Sequence, residues 1–255
     1  MVKDETINIP RLGARQKDKA YMPVMVPGET VAFYMNMPVL FNETTFDNWT
    51  LAIAGTDNQV VDDIGVLQKD TVSGSLFAVL SEFVVPSIEP GVYQLLILNE
   101  TSVVCMSNWV QVISADIADI ITCQVSYSNS RNMYAFRWAQ FPLFQQKIRL
   151  HLSLKDWEPE GNLTQYREVS TGLLRNEKYE LDQLLKLETY YFDDAAHAAM
   201  AVLMACDNIS INNRAYKAKS VYKPNTSDQS QISRGTVELY DIEYSKINKY
   251  GLQNN

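Results

Sequence analysis

The sequence predicts a mainly β protein: an N-terminal immunoglobulin-like sandwich followed by a second β-rich domain carrying one short α-helix. Three observations predict it. Seven short apolar or alternating runs follow one another from Tyr21 to Ile113, with turn signals between them. The chain holds 14 Tyr and 9 Phe against only 10 Gly, a balance that favours strands. One stretch alone, Ala195–Cys206, is alanine-rich and apolar over helical length.

Residues 1–20 are polar and lack periodicity, and Pro10 and Gly13 interrupt any helix. They carry five basic and three acidic groups, which makes them a basic extended arm. From Tyr21 come "YMPVMV", "TVAFYMNM", "NWTLAIA", "NQVVDDIGVL", "SLFAVLSEFVV", "GVYQLLIL" and "SVVCMSNWVQVI", broken at Pro27-Gly28, Asn58, Asp70 and Pro90-Gly91. Seven strands at this spacing over residues 21–114 are the sequence form of an immunoglobulin-like sandwich. Tyr93 follows a turn and opens a strand, the place of a tyrosine corner. No disulfide accompanies it, because Cys105, Cys123 and Cys206 are an odd, dispersed set with no CxxC pair; they predict reduced, mostly buried thiols.

"SADIADI" marks the expected boundary, and residues 115–255 form the second domain. Its strands are expected at "IITCQVSYSNS", "NMYAFRWAQF", "KIRLHLSL", "TQYREVSTG" and "KYELDQLLKLETYYF". In "KIRLHLSL", Ile148, Leu150, Leu152 and Leu154 alternate with Lys147, Arg149, His151 and Ser153, which predicts one strand with the latter set on a wet face. A helix is expected over 193–206, with Asp193 or Asp194 as N-cap and Asn208 as a left-handed stop. Met200, Leu203 and Met204 give it a bulky face with His197 at the edge; the alanines give it a small one. Apolarity on both sides predicts burial between a sheet and something else, such as a second subunit. "NISIN", "RAYKAKSVY" and "GTVELYDIEYSKI" close the domain, with a long polar loop in "KPNTSDQSQISRG". The alternation in "GTVELYDIEYSKI" leaves its buried face ambiguous.

Charge is segregated. Residues 21–119 hold one basic residue, Lys69, and twelve acids, whereas residues 120–255 hold sixteen basic and fifteen acidic groups. The acidic segment repels nucleic acid, whose phosphates need Lys and Arg. It allows DNA to slide past without sticking. The first twenty residues lack the apolar core of a secretory signal, which predicts a chain made in a cytosol. The run Ala195–Cys206 would cover roughly 18 Å as a helix at about 1.5 Å per residue, short of a bilayer core of roughly 30 Å, so no membrane partner is expected. N-x-S/T triplets at Asn42, Asn48, Asn99, Asn162, Asn208 and Asn225 are taken as turn and strand-end composition.

Candidate chemistry is sparse. Asp193 and His197 are spaced (i, i+4), but a metal site needs three or four ligands, and the other histidine, His151, is far upstream. Cys206 is nine positions from His197, roughly 13 Å along a helix at about 1.5 Å per residue, too far for a nucleophile–base pair. "KDWEPEG" places Asp156, Glu158 and Glu160 around Trp157, which would suit a sugar site or a glycosidase carboxylate pair. It is expected to be a charged turn. Asp62-Asp63 lacks a calcium-binding loop around it. No P-loop, GxGxxG, GxSxG or HExxH occurs. No residue is assigned a catalytic, cofactor-binding or metal-binding role, no cofactor is expected, and the chain is not expected to be an enzyme.

The order of parts adds a resemblance. A basic arm and a sandwich precede "YELDQLLKLETYYFDDAAHAAMAVLMACDNISINNRAYKAKSVY". This arrangement resembles a family of virion proteins from tailed bacteriophages of Bacteroidota, of the crAss-like kind. The likeness rests on Tyr179, Glu180, Glu188 and Tyr190, the helix from Asp193, then Asn208, Ile209 and Ile211, and "NxRxY" at Asn213, Arg214 and Tyr216. "VSYSNSRNMYAFRW" is also similar, and the likeness spans roughly residues 85–250. It implies a structural protein in the virion neck or tail, synthesised in the host cytoplasm, and it carries over no catalytic residue. It further implies a homo-oligomeric connector ring, twelvefold or sixfold, that links portal to tail beside neighbouring ring, portal and tail proteins, with DNA only as passing cargo. The alternative expectation is a carbohydrate-binding tail or surface adhesion module using Trp157 and exposed tyrosines. A metal-dependent hydrolase centred on His197 is a third.

Overall fold

The computed structural model describes residues 21–38, 49–57, 59–66, 68–70, 76–132, 138–225 and 232–242. The basic arm, the triplets at Asn42 and Asn48 and most of the strand expected in "NMYAFRWAQF" lie outside these residues. The protein is mainly β, with sixteen strands and two α-helices among the described residues.

The first half contains β1 (Val24–Met25), β2 (Thr30–Pro38), β3 (Trp49–Ala54), β4 (Val60–Val66), β5 (Gln68–Asp70), β6 (Leu76–Val84), β7 (Gly91–Asn99) and β8 (Ser102–Val112). One layer runs β1-β8-β7-β3-β4 and the other β2-β6-β5. Every pairing is antiparallel except β1 with β8. The layers share one core: Val31, Phe33 and Phe83 from one, Leu51, Ile53 and Leu95 from the other. Alternation does its expected work in β6, where Ser81 and Phe83 are buried and Glu82 and Val84 are exposed. Pro27-Gly28 turns the chain with Gly28 at φ 84°, closed by the Glu29 N–H donating to the Val26 carbonyl at 3.0 Å. Tyr93 makes the expected corner, its hydroxyl donating to the Glu89 carbonyl at 2.8 Å. Trp49 is buried on β3, a position that no local pattern singles out.

At the expected boundary a seven-residue helix forms: α1, Ala115–Ile121. It covers a small second core of Val24, Val26, Ile113 and Ala118. The second half continues with β9 (Cys123–Ser128), a 3-10 turn at Trp138–Gln140, β10 (Gln146–Leu150), β11 (Leu152–Arg167) and β12 (Leu174–Thr189). After these come α2 (Asp194–Met204), β13 (Asn208–Ile211), β14 (Arg214–Ala218), β15 (Lys223–Asn225) and β16 (Arg234–Asp241). The strand order is β10-β9-β13-β14-β16-β12-β11. β10 runs into β11 through His151 alone.

Several expectations are corrected. "KIRLHLSL" is two strands, interrupted at His151. Arg149 is not on a wet face: it is 7% exposed, beneath α1 and the Pro27-Gly28 turn. Its guanidinium donates to Glu29, to Thr122 Oγ1 at 3.0 Å and to Asp119 at 3.2 Å. "KDWEPEG" is not a turn but part of β11, which bulges between Lys155 and Trp157. The polar loop begins with a strand, β15, paired to β16. In β16 the buried face is Gly235, Val237, Leu239 and Asp241.

Main-chain pairing crosses the expected boundary at Ser114. β1 lies between β8 and β10, and β2 pairs with both β6 and β10. At the far end, among the described residues, β12 pairs with β16 over Leu184–Glu188, and beyond that β11 and β12 pair only with each other as far as Arg167 and Leu174. They form a two-stranded arm roughly 30 Å long at about 3.4 Å per residue.

Candidate functional site

The stretch with most chemical potential, Tyr190–Asn212, is built around α2. Asp193 is its N-cap: Oδ1 accepts from the Ala196 N–H at 2.7 Å, which stabilises the first turn by about 1 kcal/mol. Its other oxygen accepts from the Tyr21 N–H at 3.1 Å. Both carboxylate oxygens are therefore engaged in structure. Ala196, His197, Met200, Leu203 and Met204 form the buried face, so His197 is inside rather than at the edge. Ala198, Ala201 and Ala205 are exposed, so within the chain α2 is covered on one side only. The helix ends at Met204, short of the expected Cys206, and Asn208 opens β13 instead of stopping α2. The left-handed residues are Asn212 (φ 48°) and Asn213 (φ 63°), the paired positive φ values of a tight β13–β14 hairpin.

His197 is 5% exposed, with both ring nitrogens occupied. Nδ1 lies 2.6 Å from the Tyr222 hydroxyl and Nε2 2.8 Å from Ser233 Oγ. The network continues from Tyr222 to Thr189 Oγ1 at 3.5 Å, which accepts from the Gly235 N–H at 2.7 Å. Burial lowers the His197 pKa, with partial opposition from the Ser233 main chain and from Asp194 and Asp193. Burial also pushes the Tyr222 phenol up to about 12. A neutral imidazole, one nitrogen donating and one accepting, satisfies both hydroxyls. Ser233 and His197 have the spacing of a nucleophile–base pair. Yet Ser233 is 8% exposed and its main chain is locked to Phe192 by two hydrogen bonds, at 2.8 and 3.0 Å. The group orienting the imidazole is a phenol, not a carboxylate. The network fastens α2 to the chain before β15 and β16.

The other candidates do not converge on it. Cys206 is buried and its Sγ lies 3.5 Å from the Val202 carbonyl; burial pushes its thiol up to about 11. No disulfide joins the three cysteines. His151 contacts Tyr21, whose hydroxyl accepts from the His151 N–H at 2.8 Å. Asp62 and Asp63 are exposed on β4, in the other half of the molecule. Trp157 stands opposite Leu185 in the β11–β12 register. Among the described residues, no three His, Cys, Asp or Glu side chains are grouped to hold a metal, and no helix is long and apolar enough to cross a membrane.

No protein-family model matches this chain, and no curated protein is significantly similar to it.

Two surface features went unseen in the sequence. Tyr190 and Tyr191, each 52% exposed, flank the Arg234 guanidinium, which lies 4.9 Å from the Tyr191 ring centroid and 5.7 Å from that of Tyr190. The arm's end exposes Tyr166, Leu173 and Leu174 by about half, and Val169 fully. Both depend on which strands meet far along the chain. The double tyrosine was the one signal available.

Proposed function

We propose that this protein is a non-enzymatic structural subunit that assembles with copies of itself into a ring in the neck or tail of a phage particle, surrounding the DNA path between portal and tail. The observation that carries this reading is the β11–β12 arm. A two-stranded hairpin is marginally stable by itself in water, and this one ends in exposed apolar side chains. Such an arm gains its stability from another molecule. The paired strands behind it supply its base, and the residues with most chemical potential, Asp193 and His197, have their polar atoms engaged in the fold. The acidic segment 21–119 suits a surface past which DNA moves without adhering. The sequence likeness over residues 85–250 favours the phage setting and a twelvefold or sixfold ring.

Native mass measurement of the purified chain, together with protein identification in purified particles, tests this. A closed oligomer present in virions is expected. A monomer absent from particles overturns it.

The Tyr190–Tyr191 pair favours a second reading, a carbohydrate-binding surface module, since exposed aromatic faces stack on sugar rings. Binding to host glycans that is lost in Tyr191→Ala would favour it; under the structural reading no such binding appears.

A further inference from the structure

We infer that the arm tip of one copy docks on the β4 edge of the next, so that the two ends of the strand order form the repeating contact of the ring. This inference rests on the ring assembly proposed above. β11 and β4 are the terminal strands of the longest path of paired strands through the molecule. Among the described residues, β11 pairs only with β12, and β4 pairs only with β3. Each therefore offers an edge able to accept another strand.

The two ends match in chemistry. β4 exposes Val60 (49%) and Val61 (51%), followed directly by exposed Asp62 and Asp63. The tip exposes Val169, Leu173 and Leu174 beside Arg167 and Glu168. One end is apolar and acidic; the other is apolar and, with Arg167 and Arg175 against Glu168 over residues 165–175, net basic by one charge. Charge is also graded along the arm. Residues 156–164 and 176–183, from the base outward, hold six acids (Asp156, Glu158, Glu160, Glu177, Glu180 and Asp182) against Lys178, whereas residues 165–175 at its end hold Arg167 and Arg175 against Glu168. An acidic edge therefore attracts the tip and repels the base, which sets how far the arm engages. The terminal strands lie at opposite ends of the path, so the contact is heterologous, and heterologous contacts repeated by rotation close rings. An isologous pairing of two β4 edges would instead bring four carboxylates together.

Cysteine pairing on the full chain tests the contact. Val61→Cys and Val169→Cys are both on exposed positions, remote from the core. Mixed copies, one variant each, are expected to give a cross-linked dimer under mild oxidation, and the double variant a ladder of higher multiples. Asp62→Lys with Asp63→Lys is expected to abolish the oligomer, as is Arg167→Glu, and the triple charge swap to restore it. If wild type forms a ring, but no cross-link forms and charge reversal leaves the ring intact, this contact is overturned while the ring reading stands. If wild type never assembles, both fail together. A ring lost on removing residues 1–20 and on reversing Asp62 and Asp63, but indifferent to the tip variants, assigns the acidic edge to the basic arm and also overturns the proposal.

Discussion

At Gly235 the absence of a side chain is a packing requirement. A Cβ there would fall on the phenol ring of Tyr222, which sits over the glycine while bonding His197. Gly235→Ala is expected to destabilise the fold by about 2–3 kcal/mol, the cost of overpacking a filled core, read from denaturant midpoints. Tyr222→Phe is expected to cost about 1–2 kcal/mol through its unmet partners, and less than that when Gly235→Ala is already present, because the two share one clash. The same network sets a pH dependence. Burial lowers the His197 pKa, and that of His151, below the unfolded value of about 6.5. The unfolded chain therefore takes up protons first as pH falls, and stability present above pH 6.5 is lost on acidification. Glu188 and Asp207, held low by Lys155 and by Ser130, extend the loss to more acidic pH. The melting temperature is expected to drop between pH 7 and pH 5, and His197→Gln to flatten that slope; an equal slope in the variant would assign it elsewhere. Little of this was legible beforehand. His197 stood out because histidine is rare in the chain, but its partners Tyr222 and Ser233 lie 25 and 36 positions downstream, where no local pattern points to them.

Elements were legible where burial has one period and invisible where tertiary pairing decides. The runs of the first half are strands because their apolar residues repeat on a pleated surface, and α2 shows its cap in Asp193. Asp193→Ala is expected to cost about 1–2 kcal/mol, at the upper end because Tyr21 loses its anchor as well; circular dichroism melting reads it. "SADIADI" hid a helix because seven residues give too few turns for a periodic stripe, and only Ala118 is buried. The acids of "KDWEPEG" suggested a turn, yet β12 pairs every residue of it except the bulged Asp156 and keeps the segment extended. That arm carries its own prediction. Closing the hairpin between Glu160 and Asp182 with an Asn-Gly turn removes strand that, among the described residues, pairs only with itself. The shortened chain is expected to melt within a few degrees of wild type while losing self-association. A large loss of stability would show that the arm is part of the fold's own support.

Across the whole molecule, the expected division near residue 114 competes with a main chain that pairs straight through it. β1 and β2 belong to the sandwich by sequence, yet both hydrogen-bond to β10 of the second half. Arg149 reinforces that junction: it stands opposite Val24 in the register and joins Glu29 of the first half to Asp119 and Thr122 of the second. Alternation misplaced it because a wet face was inferred from one strand, whereas α1 and the Pro27-Gly28 turn cover that face. The pairing of its planar fork with Glu29 is the geometry in which a buried arginine is held most firmly. Removing it leaves part-exposed Glu29 and buried Thr122 without their partner, at a cost of about 2–3 kcal/mol. Arg149→Lys restores charge but not the fork, so it is expected to recover only part of that loss. Calorimetry distinguishes the two architectures. If the paired strands and Arg149 make the halves one cooperative unit, wild type unfolds in a single transition whose van't Hoff and calorimetric enthalpies agree, and Arg149→Ala lowers its midpoint. If the halves are independent, wild type shows two transitions, and Arg149→Ala shifts them without changing their number.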